Sequence, residues 1–496
     1  MHQSTAESVA AAIPFTAEQI AVLAPLFPVI AQLAQRVLEY RSGPISAQTT
    51  QNFEAALVEL TRELGRLTLE TTFNTLEPDD KDQVPEEIPL GGTRYRCRYK
   101  TPHDVDSTFG RLILRRWLYE PREPGERCLF PLQHLLGLVA GRATPFLAYR
   151  VGGLVALYTQ REALRLLLEE NRLKWTHAML RCVAAAVSVI AQDKRQAAQV
   201  KQLILWLREA YRGRGPHEPV LAIGRDGIMV PICGQQKQQE ASVATVSVHD
   251  RKGKRLGTIY LGWMPEALQE TLSEQLTELT QAVLLGWKGQ RPRLAYITDG
   301  GQTPEGYYHK VLKKMHDPRR PGERLVWQRV LDYYHAAGYI SKLAEALFGE
   351  GWRASAWARR MRHVLKQAGG LTRLLQSASY HRNEQKLTPE RQEAFGKAYN
   401  YLWKRRKFMD YATYQAKGMP IGSGVTEAGC KVVVSQRLKL SGMKWEKQGG
   451  QTVLDLRVVY LSGVWADAWN SHINQPVNHN LDTYEGCLHP TLAAAA

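Results

Sequence analysis

Apolar residues recur at helical spacing along the first part of the chain. The pattern begins at Thr16 and continues to about Leu76. In its clearest stretch, FEAALVELTRELGRLTLETTFNTL, the apolar positions lie near a period of 3.6 residues: Phe53, Leu57, Leu60, Leu64, Leu67 and Leu69. We expect residues 1–88 to form an acidic helical N-terminal region that serves packing or self-association.

Between residues 89 and 215 the pattern changes to strands and then to paired helices. The stretch TRYRCRYKTPHDVDSTFGRLILRRWLYEP contains two strand-length runs, which predict a β-hairpin with a basic face. Further on, helical runs surround a turn, and the last of them begins after Thr176 and carries His177 and Arg181. A DNA-binding helix-turn-helix has this pattern, and so does a small helical bundle.

The linker YRGRGPHEP, around residue 215, predicts a domain boundary because Gly and Pro interrupt helices and strands. Three strand signals, a helix, a further strand and alternating helices follow it. This is the chain order of an α/β ribonuclease H-like fold, whose mixed sheet begins with an antiparallel meander. We expect residues 216–348 to be the first part of such a catalytic domain, preceded by a mainly helical region with a helix-turn-helix-like unit.

The rest of the chain divides by composition and pattern. Residues 349–418 are basic and helical in pattern, which predicts an all-helical insertion into the α/β domain. We expect residues 419–470 to return to the catalytic domain as C-terminal helices. Residues 471–496 form a tail to which the sequence assigns no function.

Composition narrows the class of protein. Of the 496 residues, 44% are hydrophobic and 23% are charged, which is typical of a soluble globular protein of several domains. The apolar run near residue 21 is short and interrupted by proline, which argues against a membrane span, and no signal-peptide pattern is present. The six cysteines form no C-x-x-C pair, so we expect reduced thiols in the cytoplasm and no structural zinc.

Charge is distributed unevenly. Residues 1–90 contain 5 Lys/Arg and 13 Asp/Glu, a net charge of −8. Since the whole chain has a net charge of +17, the other residues carry +25. A region of this size with so high a positive charge favours a polyanionic partner. Double-stranded DNA is the leading candidate, because neutralising its phosphates releases counterions.

Two aspartates occupy unusual positions in the strand pattern. Asp226 lies inside the apolar run AIGRDGIMV, and Asp299 follows the strand in AYITDGG. An ionised carboxylate is costly at such a position unless a partner compensates it. If the first and fourth strands of the domain are neighbours, the two side chains converge and need a cation between them. Taken singly, each is more typical of a turn that follows a strand.

Glu427 is the single acid among several bases in PIGSGVTEAGCKVVVSQRLKLSGMKW. A Gly-Ser-Gly turn precedes it at the start of a predicted helix, so it can bring a third carboxylate to the same edge of the sheet. Such oxygen ligands suit Mg²⁺, and two ions about 4 Å apart can stabilise the attacking and leaving oxygens of a phosphoryl transfer. The alternative is an exposed acid at a helix N-terminus.

Residues near these acids are candidates for contact with DNA. The bases that follow Glu427 are candidates for binding the phosphate backbone: Lys431, Arg437, Lys439 and Lys444. Trp445 is a candidate for stacking on an extruded base, and equally for a core tryptophan. Asp332 and His335, in DYYH, share one helix face, where they can position a phosphate or nucleotide, or cap and pack the helix.

Five blocks, in this order and spacing, resemble the signatures of bacterial insertion-sequence transposases of the Kra type: IGRDGIMVP, LAYITDGG, LDYYHAAGYISKLAEALFG, MPIGSGVTEAGCK and QRLKLSGMKW. These are DDE enzymes related to the Mutator-like group, and the resemblance extends from residue 60 or so to residue 465. It implies that Asp226, Asp299 and Glu427, separated by 73 and 128 residues, form the catalytic triad. Asp332 and His335 match the family's D-x-x-H motif.

The resemblance also implies a function. Members of this family have a ribonuclease H-like fold and use Mg²⁺ or Mn²⁺ to cut transposon ends and join 3′-hydroxyls to target DNA. They often carry a Cys/His knuckle in the N-terminal part, where this chain has only Cys97 and Cys128. We therefore expect a transposase that binds terminal inverted repeats as a homodimer or larger assembly, because two ends must be held together. The alternatives are a ribonuclease H-like nuclease without strand transfer, and a DNA-binding protein whose acids coordinate no metal.

Overall fold

The computed structural model describes residues 16–475 together with Leu481, Tyr484 and Leu488. The chain forms two compact units, one of residues 1–187 and 475–496 and the other of residues 188–474. Both units combine helices with a sheet, so the general prediction of a mixed α/β protein with a helical N-terminal region is confirmed. Most of the tail predicted at residues 471–496 lies outside the described residues.

Among the residues that the structure describes, the first unit contains six helices of its own and an antiparallel sheet. The helices are α1 (Ala17–Leu23), α2 (Phe27–Ser42), α3 (Ala47–Asn74), α4 (Pro131–Leu135), α5 (Pro145–Leu157) and α6 (Gln160–Asn171). The strands are β1 (Glu87–Leu90), β2 (Thr93–Ser107) and β3 (Gly110–Pro121), in the order β1-β2-β3. The predicted amphipathic helix is α3, and the predicted hairpin is β2 with β3.

Strand β2 continues through Pro102, at which the sequence pattern indicates a break. The reason lies in the extent of β1, which pairs only with Thr93–Arg96 of β2. Beyond that point one side of β2 is an edge of the sheet. Proline is accepted there because its missing N–H is not needed for a ladder hydrogen bond.

Among the described residues, one helical segment is long and apolar enough to cross a membrane by length and composition. It is Gln19–Ser42, with 24 residues, of which an 18-residue stretch has a mean hydropathy of 1.6. The prediction that prolines shorten this run is wrong, because Pro25 and Pro28 each lie in the first turn of a helical segment, where proline is accepted. Core helices and signal sequences have the same length and composition, so this segment alone gives no membrane assignment.

A buried carboxyl group lies beside the sheet of the first unit. Glu77 accepts hydrogen bonds from the backbone N–H of Trp117, at 3.1 Å, and from the hydroxyl of Tyr484. Tyr484 and Leu481 belong to the buried apolar cluster that includes Ile88. Burial raises the pKa of Glu77 from 4.5 to about 7, although both hydrogen bonds act in the opposite direction.

The raised pKa of Glu77 predicts a pH-dependent stability. As pH rises from about 4.5 to about 7 the unfolded chain ionises this group before the folded chain does, which costs about 3 kcal/mol. Glu77→Gln cannot ionise, so the variant is expected to lose less stability than wild type over this pH range. Urea unfolding of the full chain at several pH values measures the difference. The control is Glu86→Gln, whose side chain is 73% exposed, and equal pH slopes for wild type and Glu77→Gln would contradict the expectation.

One long helix, α7 (His177–Arg212), contributes residues to both units. The runs NRLKWTHAMLRCVAAAVSVI and QVKQLILWLREAY predict two separate helices here, but the 36 residues form one. The units divide between Val187 and Ser188, inside α7, and not at the predicted linker around residue 215. The later part of α7 packs on the second unit's sheet, where the ring of Trp206 lies over Gly257.

The second unit contains a five-stranded mixed sheet and a small hairpin. Its strands are β4 (Val220–Val230), β5 (Gln239–His249), β6 (Arg255–Trp263), β7 (Arg293–Thr298), β8 (His316–Asp317), β9 (Arg320–Arg324) and β10 (Trp327–Leu331). The large sheet has the order β10-β7-β4-β5-β6, and β8 pairs with β9. Strands β4, β5 and β6 are antiparallel neighbours, whereas β7 is parallel to both β4 and β10.

Helices connect and cover this sheet. They are α8 (Glu270–Gly286), α9 (Gln302–Lys310), α10 (Tyr333–Phe348), α11 (Trp352–Leu365), α12 (Gly370–Glu384), α13 (Pro389–Lys404), α14 (Tyr411–Ala416), α15 (Gly424–Gly429), a π-helical turn (Cys430–Ser435), α16 (Gln436–Leu438), α17 (Lys447–Leu461) and α18 (Trp465–Ile473). The region predicted as a helical insertion contains α11 to α14. Its apolar side chains, such as Trp357 and Phe395, belong to the same core cluster as Val220 and Ala295 of the sheet.

Candidate functional site

Asp226 lies near the end of β4, the central strand of the five-stranded sheet. The strand is buried from Val220 to Arg225 and half-buried from Asp226 to Ile228. The backbone N–H of Gly227 donates to Oδ1 of Asp226 at 2.7 Å. Burial raises the pKa of Asp226, and the negative charges of nearby acids raise it further. This carboxylate therefore lies where the central strand emerges from the core.

Asp299 directly follows β7, the parallel neighbour of β4. The last pair between these strands is Gly224 with Ile297. Asp226 lies two residues after Gly224, and Asp299 lies two residues after Ile297. The register therefore brings the two aspartates to the same level of the sheet. The backbone N–H of Gly301 donates to Oδ1 of Asp299 at 2.9 Å. The predicted pairing of the first and fourth strands is confirmed.

Glu427 is positioned by the packing of α15 on β4. A Cβ at Gly224 would lie 1.9 Å from Oγ1 of Thr426, so only glycine allows this approach. Thr426 Oγ1 also lies 2.8 Å from Thr245 Oγ1 on β5. Side chains two residues apart on a strand face the same side, so α15 packs on the face to which Asp226 points.

The three carboxylates are electrostatic neighbours. Asp299 and Glu427 both raise the pKa of Asp226 through their negative charge. Glu427 is exposed, and its Oε1 accepts a hydrogen bond from the Ser423 hydroxyl at 2.8 Å. Within the described part of the chain, no three His, Cys, Asp or Glu side chains are close enough to hold a metal ion as they stand.

Carboxylate oxygens are nevertheless the donors that Mg²⁺ prefers, and mutual repulsion is the electrostatic condition that a divalent cation relieves. The donor chemistry therefore fits such an ion. The Glu427 side chain is free to turn towards such an ion, because it is exposed and is held by the Ser423 hydroxyl of its own helical turn. Rotation of the Glu427 side chain away from Ser423 can bring its carboxylate towards Asp226 and Asp299, so that all three bind one ion.

Cys430 is a neighbour of the site that the sequence did not indicate. Its thiol donates to Oδ2 of Asp226 at 3.8 Å. Burial raises the pKa of the Cys430 thiol, and the charges of Asp226 and Glu427 raise it further, so the sulfur keeps its proton. The one available signal is its spacing, three residues after Glu427 on the same helical face.

Two residues of the helical insertion hold the loop that carries Asp299. The Tyr401 hydroxyl donates to the main-chain oxygen of Asp299 at 2.6 Å, and Arg405 donates to that of Gly300 at 3.0 Å. Gly300 has a φ of +82°, which favours glycine. Tyr401 and Arg405 lie more than a hundred residues from this loop in sequence, and no local pattern indicates the contact.

Asp332 is the buried N-cap of α10. Its carboxylate accepts hydrogen bonds from the backbone N–H groups of Tyr334, His335 and Ser423, at 3.2, 2.8 and 2.9 Å. The side chain is 1% exposed, which excludes the predicted contact between Asp332 and DNA. Its role is to join α10 to the loop before α15, the alternative that the sequence left open. His335 is exposed and lies beside the rings of Tyr339 and Tyr401.

The basic residues after Glu427 separate into an exposed and a buried group. Lys431, Lys439 and Lys444 are exposed and available to phosphates. Arg437 is 1% exposed, and its guanidinium lies over the ring of Trp445 at 5.4 Å. The predicted contact of Arg437 with DNA is therefore corrected to a packing role.

Trp445 is also a core residue and not a surface for base stacking. Its indole N–H donates to the main-chain oxygen of Leu438 at 2.9 Å, and its side chain is 9% exposed. Its backbone bonds to Pro231 and Cys233, beyond the end of β4. Trp445 thereby fixes the segment after α16 against the sheet.

His177 and Arg181 belong to the first unit and are exposed on the first turns of α7. The helix begins as predicted, with the backbone N–H of Met179 donating to Oγ1 of Thr176 at 3.2 Å. Helices α5 and α6 precede it, and Arg172, the residue that follows α6, has a φ of +56°. The geometry leaves both side chains free to reach a ligand, and their contact with DNA stays a prediction.

No family model matches this sequence, and no curated protein matches it either. The functional assignment therefore depends on the arrangement of the carboxylates and on the motifs that contain them. Those motifs are far apart in the chain, because successive acids are 73 and 128 positions apart. The fold brings Asp226 and Asp299 to the same level of one sheet and places Glu427 on the helix that packs on β4.

Proposed function

We propose that the second unit is a ribonuclease H-like catalytic domain and that the protein is a DDE-type transposase of a bacterial insertion sequence. The strand order β10-β7-β4-β5-β6, with an antiparallel meander followed by two parallel strands, supports the fold assignment. The observation that carries the function is the register of β4 and β7. It sets Asp226 level with Asp299, under a helix that supplies Glu427.

The chain's own residues have distinct roles in this proposal. Asp226 and Asp299 are oriented by the backbone N–H groups of Gly227 and Gly301, whereas the exposed side chain of Glu427 is held by the Ser423 hydroxyl and can rotate. Mg²⁺ or Mn²⁺ bound by these carboxylates supplies positive charge to the attacking and leaving oxygens of an in-line displacement at phosphorus. We expect two such ions and no zinc.

The basic residues bind the DNA in this proposal. Lys431 lies one helical turn after Glu427, and Lys439 and Lys444 follow further along the chain. Their exposed ammonium groups are available to bind DNA phosphates. His177 and Arg181 on α7 are the candidates for reading the terminal inverted repeat. A homodimer or larger assembly holds the two element ends, and the acidic helices before residue 76 are its candidate interface. The proposed location is the bacterial cytoplasm, with the protein bound to the nucleoid.

A strand-transfer reaction tests the function. Labelled duplex DNA from the element end is incubated with a target plasmid and Mg²⁺, and the products are separated on a denaturing gel. The expected product joins the labelled 3′-end covalently to the plasmid. Nicks without joining would instead indicate a metal-dependent nuclease. Inverted repeats bounded by short direct repeats in the DNA that flanks the gene would identify the substrate to use.

A further inference from the structure

The helical insertion contains a groove that the carboxylate site does not use. It lies between α12 and α13 and has a volume of about 490 Å³, within the range in which proteins bind organic ligands. Residues Leu371, Leu375, Tyr380, Tyr399, Trp403 and Arg406 line it. We refer to these six residues as the aromatic groove.

Two of the aromatic side chains in the groove are largely exposed. Tyr380 is 60% exposed and Trp403 is 47% exposed, and both line the concave surface. The guanidinium of Arg406 lies 4.4 Å from the ring centroid of Trp403, and Arg406 donates to the main-chain oxygen of Trp403 at 2.9 Å. The groove therefore presents flat rings together with a fixed positive charge, which suits a flat ligand that carries negative charge.

The charge around the groove favours a nucleic acid strand. Residues 349–418 contain 15 Lys/Arg and 5 Asp/Glu, a net charge of +10, and four of these bases form the run Lys404–Lys407. Phosphates are attracted by such charge, and unpaired bases stack on aromatic side chains. Bases of an intact duplex are already stacked on one another and cannot enter such a groove. The ligand class is therefore single-stranded or locally unpaired DNA.

Helix α13 connects the groove with the carboxylate site. Tyr401 and Arg405 contact the Asp299 loop, and Trp403 and Arg406, which line the groove, are their near neighbours in sequence. We propose that the aromatic groove binds an unpaired nucleotide of the DNA strand on which the carboxylates act. The link to cleavage rests on the proposed function, but binding of unpaired nucleotides by the groove does not.

Binding of a single-stranded oligonucleotide that contains 2-aminopurine tests the proposal in metal-free buffer. Stacking of this base on Trp403 quenches its fluorescence, so quenching on addition of the full-length protein is expected. Trp403→Ala is expected to weaken single-strand binding by about 10-fold and to abolish quenching, while duplex binding is unchanged. Trp403→Phe keeps a ring and should restore part of the quenching. The control is Trp352→Ala, because Trp352 is 78% exposed, lies in the same insertion and does not line the groove.

Unchanged binding and quenching in Trp403→Ala would overturn the proposal, as would an equal loss in Trp352→Ala. If Trp403→Ala melts well below wild type, Tyr380→Ala is tested in its place, and the same results support or overturn the proposal. The readout is independent of catalysis, so Asp226→Asn should bind the oligonucleotide as wild type does. Failure of strand transfer with intact quenching would contradict the transposase assignment and leave the groove as a site for unpaired nucleotides.

Discussion

Asp226→Asn is expected to reduce cleavage of element-end DNA by about 1,000-fold or more while DNA binding is kept. Asparagine has nearly the same shape but brings no negative charge to the site, so the pair formed with Asp299 at the sheet edge no longer attracts a divalent cation. The backbone N–H of Gly227 can still donate to the asparagine oxygen, so the strand is not disturbed. Cleavage rates in Mg²⁺ and gel-shift affinities without metal measure the two effects separately.

The pKa of Asp226 gives this variant a second expected property. A carboxyl group whose folded-state pKa is raised is harder to ionise in the fold than in the unfolded chain, so above its unfolded pKa it destabilises the fold. Asparagine removes this cost, and Asp226→Asn should melt no lower than wild type at pH 7 without metal. The control is Asp193→Asn, whose side chain is 65% exposed. Cleavage by Asp226→Asn at the wild-type rate would indicate that the acids do not act in catalysis.

The sequence could predict the parts of this molecule that local pattern determines. Strand β4 is visible as an apolar run, and an aspartate inside such a run is anomalous wherever the strand lies in the sheet. Each of Asp226 and Asp299 is followed by glycine, which permits close approach of a ligand to the backbone. The order of the strands then follows from general rules for α/β domains, because crossover connections bring parallel strands together.

Burial of polar residues could not be predicted in this way. Arg437 and Trp445 stand in a stretch rich in lysine, and nothing local separates them from Lys439 or Lys444. The fold separates them, because Trp445 bonds to the segment after β4 and Arg437 packs over it. Asp332 is similar, since one of its three backbone partners is Ser423, 91 residues away.

The long helix α7 shows a further limit of local pattern. Buried positions recur every three or four residues from Leu180 to Ala210, but three of them are polar: Ser188, Arg195 and Gln199. The apolar stripe is therefore interrupted in the part of the helix that follows the division between the units. In a sequence, an interrupted apolar pattern also marks the end of a helix, so this one helix is predicted as two. The glycine-rich linker after it marks the start of β4 and not the division between the units.

Gly224→Ala is expected to lower both stability and cleavage, although this residue bears no functional group. The added methyl would lie 1.9 Å from Oγ1 and 3.1 Å from Cβ of Thr426, so α15 must move away from β4. Overpacking of this kind costs about 1–3 kcal/mol. Since Glu427 follows Thr426 directly, the same movement displaces the third carboxylate, and a displacement of about 1 Å at a reacting centre lowers a rate by about 100-fold. Thermal unfolding and the cleavage assay measure the two consequences.

Gly424→Ala is the matched control, because a Cβ at Gly424, at the start of the same helix, meets no atom within 4 Å. It should leave both stability and cleavage near wild type. The double variant Gly224→Ala with Thr426→Ala removes the atom that clashes and should recover part of the lost stability. It cannot recover all of it, because the hydrogen bond between Thr426 and Thr245 is lost as well. Normal cleavage by Gly224→Ala at a normal melting temperature would show that α15 does not depend on this contact, and the position of Glu427 would then need another explanation.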